Sequence, residues 1–152
     1  MAHAGTQAFA APARTDQRPA PRVAVPDRPR ILVVDDDECM RELARLHLSN
    51  AGYEVETAAD AVIALRAIMR RPPALVIADV DMPYLNGLEF VRALRSDSRY
   101  AKIPVVFLTV RTDVDQRVRE LGTLACLHKP LLAPQLLCAV AAALPNGKIA
   151  LG

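Results

Sequence analysis

From Arg30 onward the chain alternates short, nearly continuous apolar runs with amphipathic stretches, and this alternation restricts the architecture more than any other property of the sequence. The runs are Ile31-Leu32-Val33-Val34, a weaker one at 53–57, Leu75-Val76-Ile77-Ala78, 104–108 and 124–128. Runs without polar alternation describe strands buried on both faces. The stretches between them predict helices at 38–50, 60–70 and 87–96, a short fourth ending at Leu121-Gly122, and a fifth over 134–144. In the first, Met40, Leu43, Leu46 and His47 recur at helical spacing before an Ala51-Gly52 stop; in the third the repeat is Leu88, Val91, Leu94 and Arg95. Asp60 is placed to cap the second helix, Pro72-Pro73 forbids its continuation, and Thr112 or Asp113 is expected to cap the fourth. Five strand-helix units in succession mean a parallel sheet with helices on both faces.

With 152 residues and 52% hydrophobic content, the chain supports one domain of normal size. Residues 1–29 are rich in Ala, Pro and Arg, with Pro12, Pro19, Pro21, Pro26 and Pro29 interrupting any periodicity, and are expected to form a disordered tail. The domain is then expected at 30–145, followed by a short tail at 146–152. Residues 1–30 hold five Arg against two Asp, leaving fourteen basic and fifteen acidic residues in the body. A near-neutral body lacks the basic face that nucleic-acid binding requires. Cys39, Cys126 and Cys138 are odd in number and lack metal-ligand spacing, so reduced, buried thiols in a cytoplasmic protein are expected. No stretch reaches the roughly 18–20 apolar residues of a membrane span, and His3, Thr6, Gln7 and Arg14 interrupt any secretory signal.

The strand ends carry the chemistry. Asp35 and Asp36 close the first run, Asp79 the third and Thr109 the fourth, while the fifth leads into Lys129-Pro130. In open parallel sheets ligands bind beyond the carboxyl ends of the strands, so these groups are expected to meet at one edge. Converging carboxylates provide oxygen ligands for a hard cation such as Mg²⁺, which completes its shell with water and phosphate oxygens. The expected chemistry is phosphoryl transfer.

Four motifs in order, Val33-Val34-Asp35-Asp36, Asp79-Val80-Asp81-Met82-Pro83 with Asn86-Gly87, Thr109, and Lys129-Pro130, resemble the receiver domain of two-component response regulators over about residues 29–145. The resemblance implies a flavodoxin-like, doubly wound (βα)5 fold and a signalling protein rather than an enzyme. It implies that Asp79 is the phosphoacceptor for a sensor histidine kinase or histidine phosphotransfer protein. By the same resemblance, Asp36 and Asp79 ligate Mg²⁺, Asp35 holds a metal-bound water, and the Asp81 backbone carbonyl adds a ligand. Lys129 pairs with a phosphoryl oxygen, Thr109 donates to another, and the Lys129–Pro130 bond is cis. Gly87 is expected to permit the turn into the third helix, and His128 reads as an exposed strand residue.

Two positions depart from the family pattern. Cys126 stands where many receivers carry an aromatic residue, and Val110 follows the threonine where a small residue is common. With only 145–152 after the fifth helix, the pattern matches stand-alone receivers that act on a downstream protein or pass phosphate onward. Two alternatives remain. One is a degenerate receiver used as a phosphorylation-independent interaction module. The other is a small haloacid-dehalogenase-type phosphatase, since Asp35-Asp36-Asp37 and Asp79-Val80-Asp81 share its Asp-x-Asp spacing; against it, no Asp or Glu follows Lys129.

Overall fold

The computed structural model describes residues 28–144 and contains one five-stranded parallel sheet in the order β2-β1-β3-β4-β5. The strands are β1 (Arg30–Val34), β2 (Glu54–Ala58), β3 (Leu75–Asp79), β4 (Val105–Thr109) and β5 (Ala125–His128). They alternate with α1 (Glu38–Asn50), α2 (Ala61–Arg70), α3 (Gly87–Ser96), α4 (Asp115–Glu120) and α5 (Ala133–Ala143). Successive residues of a strand point to opposite faces, and both faces are covered, which is why β1, β3 and β4 are apolar except for Arg30 at the start of β1 and Asp79 and Thr109 at the ends of β3 and β4. Ile31, Val33, Leu75 and Ile77 join Ala44, Leu48, Leu136 and Val140 in a core with α1 and α5. Leu32, Val34, Val76 and Ala78 join Ala64, Ile68, Phe90, Val91, Val114 and Val118 in a second core with α2, α3 and α4.

The sheet is doubly wound: the chain goes from β1 outward to β2, returns past β1 to β3, and continues to β4 and β5. The direction reverses between β1 and β3, whose register pairs Val34 with Ala78. Asp35, Asp36 and Asp79 therefore leave neighbouring strands at the crevice where ligands of doubly wound sheets bind.

The helices follow the sequence pattern with three corrections. In α1 the buried row is Ala44 and Leu48, with Met40 half-buried, whereas Leu43 and Leu46 are 37% and 56% exposed. The row at i, i+4, i+8 faces the sheet, and small Ala44 lets the helix approach closely; the i, i+3 repeat of larger residues drifts away from it. In α4 neither Thr112 nor Asp113 is the cap: the N-cap is fully buried Val114, which supplies no side-chain bond. Asp113 is engaged elsewhere, by Arg111. The third correction concerns the cysteines, which are not buried: Cys39 and Cys138 are exposed and Cys126 is partly covered. The Gly52 stop after α1 has φ 94°, a left-handed conformation that glycine adopts without steric cost. Of the expected tails at 1–29 and 146–152, residues 1–27 and the whole of 146–152 lie outside the described residues.

Candidate functional site

Each acid is set by its strand. Asp35 and Asp79 are 1% and 5% exposed, while Asp36 is solvent-exposed. Asp35 Oδ1 accepts the Asp37 N–H at 2.9 Å, and Asp79 Oδ1 accepts the Asp81 N–H at 3.1 Å. Arg41, on α1, donates to the Asp35 carbonyl at 2.8 Å. The remaining oxygens, Asp35 Oδ2 and Asp79 Oδ2, both accept from Lys129 Nζ, at 2.9 and 3.0 Å. Lys129 reaches them from the end of β5, anchored by its own N–H on the Thr109 carbonyl at 2.8 Å, and its bond to Pro130 is cis. Thr109 is fully buried, and its Oγ1 accepts the Arg111 N–H at 3.0 Å.

Electrostatics follow from this enclosure. Burial pushes Asp79 up to about 6, with Asp35 adding to the rise while the Lys129 and Asp81 hydrogen bonds oppose it. Burial also works to lower Lys129, but its bonds to Asp35 and Asp79 outweigh it and hold the amine above its ordinary value.

The donor set fits a hard cation. Carboxylate oxygens of Asp35, Asp36 and Asp79 all lie within 4.8 Å of one another. Two oxygens on one Mg²⁺ are about 3.0 Å apart when cis and about 4.2 Å apart when trans, so the three carboxylates would draw closer together around a shared ion.

Gly87 owes its place to space rather than to backbone freedom. A Cβ there would lie 2.1 Å from the Asp79 carbonyl oxygen, so only glycine lets α3 start against the end of β3. Its N–H donates to the Val80 carbonyl at 2.8 Å, and Asn86 caps α3 by accepting the Glu89 N–H at 2.9 Å. Between them the Leu85 N–H donates to the Pro83 carbonyl at 2.9 Å. That contact closes a three-residue turn around Tyr84, which has φ 70° and is fully exposed.

This set of groups is the one on which receivers are built, and a family model for the response regulator receiver domain matches residues 31–141. The chain belongs to that family. Such a domain is a signalling module of two-component systems, and its acidic site generally takes Mg²⁺. Response regulator MprA of Mycobacterium leprae is 43% identical over 121 residues, 78% of this chain and 52% of that protein. MprA of Mycobacterium sp. strain KMS is 45% identical over 117 residues, 76% of the chain and 50% of the relative. The chain thus spans about half the length of the curated relatives it matches. Among solved structures, the chemotaxis response regulator CheY4 of Vibrio cholerae superposes with a TM-score of 0.72 at 36% identity, covering 76% of this chain and 98% of that one. No helix among the described residues is long and apolar enough to cross a membrane.

The structure brings Asp35, Asp36, Asp79 and Lys129 together, with Thr109 one strand further along and Asp81 at the mouth. His128 is exposed. Val110 is 68% exposed, and Cys126 pairs in register with Phe107 of β4 and packs against the core under α4. Sequence reasoning missed Arg41 and gave Asp113 a different role, that of a helix cap. Arg111 Nε and Nη2 meet Asp113 Oδ1 and Oδ2 at 2.9 and 2.7 Å, whereas its contact with Asp81 is 3.5 Å. Asp113, ahead of Asp81, holds the guanidinium above its usual value. The Arg-x-Asp spacing at 111–113 was the available signal.

Proposed function

We propose that Asp79 accepts a phosphoryl group from a phosphohistidine on a sensor histidine kinase or histidine phosphotransfer protein. The observation that carries this reading is the Lys129 ammonium shared between Asp35 and Asp79, at 2.9 and 3.0 Å. An Asp79 oxygen attacks phosphorus, the P–N bond to the imidazole breaks, and the ring leaves with the bonding pair. Burial keeps the Asp79 carboxylate poorly solvated and therefore reactive, and the Asp81 N–H fixes its orientation. Lys129 balances the new negative charge, and the Thr109 hydroxyl reads the product by donating to a phosphoryl oxygen. Asp36 and Asp79 are assigned as direct ligands of Mg²⁺, Asp35 as holder of a metal-bound water, and the Asp81 carbonyl as a further ligand. When bound, the ion offsets repulsion between the acids and an anionic donor and stabilises charge on the transferring oxygens.

The domain is assigned to residues 30–145 and the protein to the cytoplasm. Its output is assigned to contacts with a downstream protein or to onward phosphotransfer, rather than to binding nucleic acid. The degenerate-receiver alternative is disfavoured by the intact constellation of acids, Thr109 and Lys129. Incubation with acetyl phosphate and Mg²⁺ tests the reading. Wild-type protein gains one base- and hydroxylamine-labile phosphoryl group, and Asp79→Asn gains none. Equal incorporation by the two proteins would falsify the acceptor assignment.

A further inference from the structure

Arg111 is tied to three parts of the site. Its backbone N–H donates to Thr109 Oγ1 at 3.0 Å, its Nε and Nη2 grip Asp113 at 2.9 and 2.7 Å, and its Nη1 reaches Asp81 Oδ1 at 3.5 Å. The paired contacts with Asp113 form a parallel fork, which fixes the plane of a guanidinium. The Asp81 contact is at the outer limit of a hydrogen bond. The cation is therefore drawn toward the loop before α4, while one of its ends still faces the acid two residues beyond Asp79. Side-chain exposures of 40% for Arg111, 66% for Asp113 and 46% for Asp81 allow this partition to shift without disturbing either core.

We propose that Asp113 is a positioning residue that withholds Arg111 from the phosphoryl group on Asp79, and thereby shortens the lifetime of the phosphorylated state. The proposal rests on the assignment of Asp79 as acceptor. Loss of the group is hydrolysis of an acyl phosphate. Water oxygen bonds to phosphorus, and the bond from phosphorus to the Asp79 oxygen breaks with its electron pair returning to the carboxylate. Both water protons leave on the released phosphate. A dianionic phosphoryl group competes with Asp113 for the same fork of donors. Without the Asp113 carboxylate, Arg111 turns to the phosphoryl oxygens and covers the face that water must approach.

The exposed setting limits the effect to about two- to five-fold in half-life. The experiment phosphorylates the full chain with acetyl phosphate and Mg²⁺, removes the donor, and follows loss of the base-labile phosphoryl group. Asp113→Asn and Asp113→Ala are expected to lengthen the half-life, and Asp113→Glu to restore it. An Arg111→Ala/Asp113→Asn double variant is expected to decay like Arg111→Ala alone, a coupling that a purely structural role would not produce. A half-life unchanged or shortened in both Asp113→Asn and Asp113→Ala, or a lengthening that persists without Arg111, overturns the proposal and leaves the acceptor assignment standing. Absence of any Asp79-dependent incorporation in wild-type protein instead overturns the acceptor assignment, and this proposal with it.

Discussion

The half of the domain that holds the acids and the half that supplies the lysine are built differently. On the acid side α1, α2 and α3 each begin at a side-chain cap. Asp37 accepts from the N–H groups of Cys39 and Met40, Asp60 from Ile63, and Asn86 from Glu89. β1 and β3 between them are buried at every position. On the lysine side α4 and α5 start at Val114 and Leu132 with no side-chain cap; edge strand β5 is only partly covered, as is the opposite edge strand β2, so the helix starts are what distinguish the two halves. A capped helix on a fully buried strand holds its end in place by local forces. A short uncapped helix beside an edge strand depends on its neighbours and is the lower-stability kind of element from which moving parts are drawn. Lys129 thus reaches from the softer half into the firmer one, and its two carboxylate contacts join them.

The largest expected effect comes from disturbing the firm half where it has no slack. Gly87→Ala forces a Cβ against the Asp79 backbone, so the loss should reach or exceed the upper end of the roughly 1–3 kcal/mol typical of overpacking. Urea denaturation together with phosphorylation yield measures it. Wild-type behaviour in both would remove the idea that α3 and β3 leave no room.

Next comes the cost of burying Asp79. Its folded pKa, about 6, lies above the ordinary carboxylate value of 3.8. The folded state therefore binds the proton more tightly, and the penalty is full above about pH 6 and is relieved as pH falls toward 4. In chelator, Asp79→Asn should be more stable than wild type by about 2–3 kcal/mol at pH 7.5, with the gap closing by pH 4. A gap that widens on acidification would give Asp79 a lowered pKa instead.

The smallest effects test the caps themselves. Asp37→Ala and Asn86→Ala should each cost about 1 kcal/mol. Thr112→Ala should stay within about 0.5 kcal/mol, because α4 takes no cap from it. Similar losses at all three positions would erase the contrast between the halves.

How much could be read from the sequence follows the same division. Where strands are buried on both faces, composition alone marks them, and Ile31 to Val34, Leu75 to Ala78 and Val105 to Leu108 are strands as expected. Asp60 was legible as a cap because a short side chain before an apolar helix has few other uses. Thr112 and Asp113 offered the same local chemistry, but Asp113 has a competing partner in Arg111, and a charge-assisted fork outweighs a single capping bond. The row buried in α1 was obscured because small Ala44 carries little hydrophobic signal, yet sits where the helix comes closest to the sheet. At the site, strand-end logic located the acids, Thr109 and Lys129. It did not reveal that Gly87 is required by contact with the Asp79 carbonyl, since closeness between backbone segments leaves no trace in residue type beyond the glycine itself.

The turn around Tyr84 also gives the molecule an optical handle. The chain contains no tryptophan and three tyrosines. Tyr53 is buried, and Tyr100 lies against the Arg99 guanidinium, 5.0 Å from ring centroid to charge. Tyr84 alone is fully in water, five residues beyond Asp79. Ultraviolet emission from the unlabelled protein therefore includes a phenol seated on the loop that leaves the acid cluster. A collisional quencher such as acrylamide will reach that ring before the other two, separating its signal without a dye or an introduced side chain.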